Sequence, residues 1–149
     1  MLRRGTAVIA TVAGVLALGA APASASDTVN WKAVKTSSNW HCTEYVGTDT
    51  PGVNVKMCIV VNSGHYAQGV LVAQNASNQH VGIKGRIRFE SEYGGDVWCA
   101  WSQLSKGATA GCYAPTVGPF YQTTNIATGD LTVDGYTTRV VKGQVPTGI

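Results

Sequence analysis

Two nine-residue stretches with apolar side chains at every second position constrain this chain more than any other feature. Val53, Val55, Met57, Ile59 and Val61 alternate with Asn54, Lys56, Cys58 and Val60. Val81, Ile83, Gly85, Ile87 and Phe89 alternate with Gly82, Lys84, Arg86 and Arg88. A period of two turns one face of a strand to a core and the other to water. Residues 40–46, 66–73 and 97–101 read as further strands with looser alternation. Residues 131–133 and 136–141 flank Asp134-Gly135, a two-residue hairpin turn of type I′ character. Pro51-Gly52, Asn62-Ser63-Gly64, Gly94-Gly95 and Pro115 punctuate the runs. No helical stripe of useful length, internal repeat or low-complexity linker interrupts them. Short strands with Gly-rich turns point to an all-β sandwich or barrel, and a small antiparallel β-sandwich is expected.

The N-terminus follows a different pattern. Arg3 and Arg4 precede an apolar run over residues 7–20, and Ala23-Ser24-Ala25 is a small-residue cleavage pattern. Residues 1–25 therefore read as a signal peptide, too short and wrongly flanked for a lasting membrane span. The mature chain is expected to start at Ser26 and to be secreted, with no stable membrane association. It would comprise an extended N-terminal arm over 26–39 and one sandwich domain over 40–149. Of the 11 basic residues, Arg3 and Arg4 lie in the leader, which leaves 9 against 8 acidic ones. A nearly neutral surface argues against nucleic acid as a partner, because that role demands clustered positive charge.

Cys42, Cys58, Cys99 and Cys112 all lie in the mature part. An even count in an oxidising compartment reads as two disulfides. Of three possible pairings, Cys42–Cys58 and Cys99–Cys112 are favoured, because each joins neighbours across a short loop. A metal site fits poorly: there is no C-x-x-C pair, and no histidine stands at ligand spacing from another. Neither a metal nor a cofactor is expected.

Catalysis has little support. The chain has no G-x-S-x-G elbow, no H-E-x-x-H and no P-loop. His41, His65 and His80 are dispersed, as surface or turn histidines are. Glu90 and Glu92 could mimic a glycosidase pair but fit a solvated face with Lys84, Arg86 and Arg88. That charged stripe also discourages sheet-to-sheet aggregation. Trp31, Trp40, Trp98 and Trp101 could supply a carbohydrate platform, but Trp98 and Trp101 bracket Cys99, so core packing beside the disulfide is the default. Lys106 would sit at the tip of a loop clamped by Cys99–Cys112. A pre-ordered basic tip could enter an acidic protease-type pocket, which supports an alternative reading as a hydrolase inhibitor.

The arm could be an ordinary first strand. It could also add itself to another protein's sheet, using Val29, Trp31 and Ala33 as alternate anchors. With its signal peptide, mature size, cysteine spacing and arm over residues 28–35, the chain resembles the small secreted β-sandwich proteins of filamentous actinobacteria. Among them it is most similar to the adaptor subunit of umbrella toxin particles. That resemblance implies a non-enzymatic subunit of an antibacterial complex. Its partners would be larger secreted subunits: a filamentous toxin-bearing chain that receives the N-terminal strand, and lectin-bearing chains with degenerate trypsin-like domains. Val29, Trp31, Lys32, Ala33 and Lys35 would then be partner-binding residues of the arm, and Lys106 the candidate for the trypsin-like cleft.

Overall fold

The period-two stretches form the long central strands of two sheets. The computed structural model describes residues 27–89, 96–121 and 124–146. The expected signal peptide, Glu90, Glu92 and the Gly94-Gly95 turn lie outside the described residues. The strands are β1 (Thr28–Val29), β2 (Trp40–Cys42), β3 (Val46–Gly47), β4 (Val53–Val61), β5 (Ala67–Asn75), β6 (Val81–Phe89), β7 (Val97–Leu104), β8 (Thr109–Tyr113), β9 (Thr124–Val133) and β10 (Tyr136–Pro146). Sheet A has the order β1-β7-β6-β9-β10 and sheet B the order β2-β4-β5-β8, with β3 also on β4. The fold is the expected all-β two-sheet sandwich. Among the described residues no helix is long and apolar enough to cross a membrane.

The inward residues are those the alternation marks. Val53, Val55, Met57, Ile59 and Leu71 from sheet B meet Ile83, Ile87, Leu131, Val133 and Val140 from sheet A, all buried. Leu71 lies so close to the opposite sheet that a Cβ on Gly129 would stand 2.5 Å from its Cδ1. Glycine at that point lets the two sheets approach. Asp134 and Gly135 have φ of 49° and 91°, as a type I′ turn between β9 and β10 requires.

Both disulfides form as paired above, Cys42–Cys58 and Cys99–Cys112. The second joins β7 to β8 and so links the two sheets. Two disulfides fit a chain that folds in an oxidising, extracellular setting.

The expected strand over 40–46 is two short strands instead. Thr43 breaks it: its N–H donates to Met57 O at 2.9 Å, and its Oγ1 accepts from the Met57 N–H at 3.1 Å. The threonine side chain replaces one backbone group of the ladder at that point.

Sheet B also carries a second apolar cluster on its outer side. Cys58, Val70 and Val72 are buried there beneath Val34, Trp40, Cys42 and Tyr113. The chain leading into β2 supplies that cover. Val29 pairs with Cys99 in parallel, and Lys32 then exchanges two 2.8 Å backbone hydrogen bonds with Gly111. Residues 33–39 thus lead from the β8 edge, where Lys32 is anchored, to β2 on the opposite edge.

Candidate binding face

The outer face of sheet A holds two exposed tryptophans beside a set of charged groups. Inward Cys99 forces its neighbour Trp98 outward by simple alternation. Further along β7 the register shifts: Ile83 faces Ser102, but Gly85 faces Cys99. Ala100 and Trp101 therefore stand opposite Lys84 alone. Such a β-bulge re-aims a side chain, and here Trp101 is left 72% exposed and Trp98 42%. The default expectation of core packing for this pair is thus corrected. Alternation beside inward Cys99 turns Trp98 out, and the bulge turns out Trp101.

The two tryptophans border two adjoining shallow clefts. One, of about 250 Å3, is lined by Gly82, Lys84, Trp101, Thr132 and Asp134. The other, of about 220 Å3, is lined by Lys84, Arg86, Trp98, Asp130 and Thr137. Lys84 and Thr132 line both. Gly82 makes room for Trp101, since a Cβ there would lie 3.1 Å from the indole Nε1. The Arg86 guanidinium carbon stands 5.1 Å from the Trp98 ring centroid, a cation–π contact.

Charge on this face is mostly matched. Arg86 pairs with Asp96. Asp130, only 8% exposed, accepts from Arg88 Nη2 and, at 2.8 Å, from Arg139 Nε. The Asp130 hydrogen bond and negative charge hold the Arg139 guanidinium above its ordinary pKa. The expected charged stripe is therefore two paired arginines plus Lys84, which has no carboxylate partner among the described residues. Thr132 and Thr137 hydroxyls bond each other at 2.8 Å across β9 and β10.

A smaller patch lies on sheet B. Lys56 Nζ stands 4.5 Å from the Tyr45 ring centroid, and Val46 beside it is exposed. Burial pushes the Tyr45 hydroxyl pKa up.

The arm residues are not gathered into one exposed set. Val29 and Trp31 pack against the main core, and Trp31 Nε1 donates to Ala100 O at 2.8 Å. Ala33 is exposed, and its carbonyl accepts from the Tyr113 hydroxyl at 2.9 Å. Lys32 and Lys35 point to solvent. Lys106 is exposed in the turn of the β7–β8 connection, which the Ala108 N–H closes by donating to Ser105 O at 3.0 Å. There Gly107 N–H donates to Asn75 O and Asn75 N–H to Ala108 O, at 2.8 and 2.9 Å. Among the described residues, no group of three or more His, Cys, Asp or Glu side chains could hold a metal ion. Alternation around Cys99 was the available signal for Trp98. Nothing local announces the bulge that exposes Trp101. Compared with known proteins, the chain matches no family model and no curated protein.

Proposed function

We propose that this chain is an exported, non-catalytic adaptor that joins larger secreted subunits of an extracellular antibacterial complex. What supports the reading is the presence of two separate aromatic–cation patches on opposite sheets, Trp98–Arg86 with Trp101 on sheet A and Tyr45–Lys56 on sheet B. A bridging protein needs two contact surfaces that can be occupied at once, and tyrosine, tryptophan and arginine are the side chains that dominate such contacts. Cys58 follows Lys56 by two residues and Cys99 adjoins Trp98, so each patch includes a strand that a disulfide staples, and a pre-ordered surface loses less entropy on binding. Export belongs to the same reading, with residues 1–25 as the leader.

The test is affinity purification of the tagged chain from culture supernatant, followed by mass spectrometry. Large secreted chains should co-elute, and the purified subunit should begin at Ser26. Substitution at either patch, Trp101→Ala or Tyr45→Ala, should each remove a different partner. Recovery of the chain alone would overturn the proposal. Point substitutions are preferred to deletion of residues 26–35, because Val29, Trp31 and Lys32 contribute to the domain's own packing and pairing.

A second reading, a secreted inhibitor of a protease or other hydrolase, draws on the pinned connection around Lys106. It requires stoichiometric inhibition by the isolated domain that Lys106→Ala abolishes. Carbohydrate binding, the remaining alternative, draws on the exposed indoles.

A further inference from the structure

We infer that the groove between Trp101 and Trp98 on the outer face of sheet A binds a glycan chain bearing carboxylates, with Lys84 at its centre. This rests on the reading of that face as a contact surface for a larger secreted subunit and names the part recognised there, an acidic glycan that the subunit carries. Three observations carry it.

The first is shape. Trp101 is displaced outward by a bulge and lies over a residue with no side chain, so a broad indole surface borders an open cleft. Sugar rings present a flat C–H face, and an exposed indole is the protein group best suited to cover it.

The second is the hydrogen-bonding set beside the indoles. Asp134 offers acceptors, Lys84 offers donors, and the Thr132 and Thr137 hydroxyls can do either. A ligand rimmed with hydroxyls needs that mixture. A peptide strand is a poorer occupant. The clefts lie over the middle of the sheet, where β6 is paired on both sides by β7 and β9. No free backbone edge is offered for strand addition.

The third is charge. Each arginine on the face has an acidic partner, whereas Lys84 has none among the described residues and lines both clefts. A carboxylate on the sugar would complete it, and such a contact weakens with salt.

The experiment is retention of the purified mature chain on immobilised polygalacturonic acid, with dextran and poly-glutamate as the neutral-glycan and non-glycan controls. Binding is expected to polygalacturonic acid above both controls and to fall as salt rises. Trp101→Ala and Lys84→Ala should each weaken it about tenfold, the size of one lost aromatic or ionic contact. Tyr45→Ala, on the other sheet, should leave it unchanged. Each variant's urea midpoint checks that the fold is intact. Equal retention on poly-glutamate would overturn the glycan, and equal retention on dextran would overturn the carboxylate. No retention at all would overturn the assignment outright. Secreted partners that still co-elute and still depend on Trp101 would then leave the adaptor reading standing, with a protein on this face.

Discussion

The tight fit of Leu71 against Gly129 of the facing sheet gives a quantitative test of the core. A methyl placed on Gly129 would lie 2.5 Å from Leu71 Cδ1 and 2.8 Å from Met57 Sδ. Non-bonded carbons prefer about 3.5–4.0 Å, so Gly129→Ala must push the Leu71 methyl by roughly 1 Å in a closed core. Overpacking of that kind costs about 1–3 kcal/mol, offset by about 0.5–1 kcal/mol because alanine orders more readily than glycine. A net loss of about 1–2 kcal/mol is expected. Leu71→Ala, at a fully buried site, should cost about 3–5 kcal/mol. Combined, the new methyl enters space that the leucine vacates, so the double variant should be at least about 1 kcal/mol more stable than the sum predicts. Urea unfolding of the four proteins with disulfides intact measures this, with equal slopes as the check on two-state behaviour. Gly143→Ala is the control, since a Cβ there meets nothing within 4 Å. Additivity within about 0.3–0.5 kcal/mol would refute the sheet contact as described.

Other consequences follow from single contacts. Asn75 is fully buried, donates to Gln79 O and Leu104 O at 2.7 and 3.1 Å, and accepts from Ser77. Asn75→Ala strands these partners and should cost about 2–3 kcal/mol in chemical denaturation. Replacing Cys99 and Cys112 together by alanine opens a loop of 13-residue separation and should cost about 3 kcal/mol, measured the same way under non-reducing conditions. Burial raises the Tyr113 hydroxyl pKa, so its proton is held more firmly in the folded chain than in the unfolded one. That stabilisation is complete below the ordinary tyrosine value of about 10 and fades as pH rises through the folded-state value. The stability gap between the native chain and Tyr113→Phe should therefore narrow over that alkaline range, with phenolate absorbance tracking the titration.

How far the sequence reveals this protein depends on whether the determining contact is local. Alternation in residues 53–61 and 81–89 identifies inward and outward faces because each residue's direction is set by its immediate neighbours. The Asp134-Gly135 turn is equally local, requiring only two residues that accept positive φ. The outer cover of sheet B is not local. Its one sequence trace is Val70-Leu71-Val72, apolar on both faces, which marks a strand covered on both sides. What covers it, Val34 and Trp40 from the incoming chain, depends on a crossing that no spacing encodes. β8 and residues 124–130 of β9 carry no such local signal either. Buried Asp130 disguises β9, since a carboxylate in a strand centre becomes tolerable only when Arg88 and Arg139 arrive from its two neighbours.

The seat of residues 27–35 decides how any partner can use them. The Trp98 N–H donates to Asp27 O at 2.8 Å, and the Gly111 N–H donates to Lys32 O at the same distance. A partner that took up Val29 and Trp31 would have to break these bonds, uncover Val34's contact with the outer cluster, and free Ala100 O from the Trp31 indole. Ala100 belongs to the bulge that turns Trp101 outward, so the arm and the sheet A groove are both seated on β7. Amide hydrogen exchange separates the two modes. The Trp98 and Gly111 amides should be protected in the free chain. They should stay protected when a partner docks on the outer faces, as the adaptor reading by its two patches requires. Loss of protection at both amides in a purified complex would mean that the strand itself is transferred. Binding at the groove should then weaken in the same complex, because the hydrogen bond behind the bulge has gone.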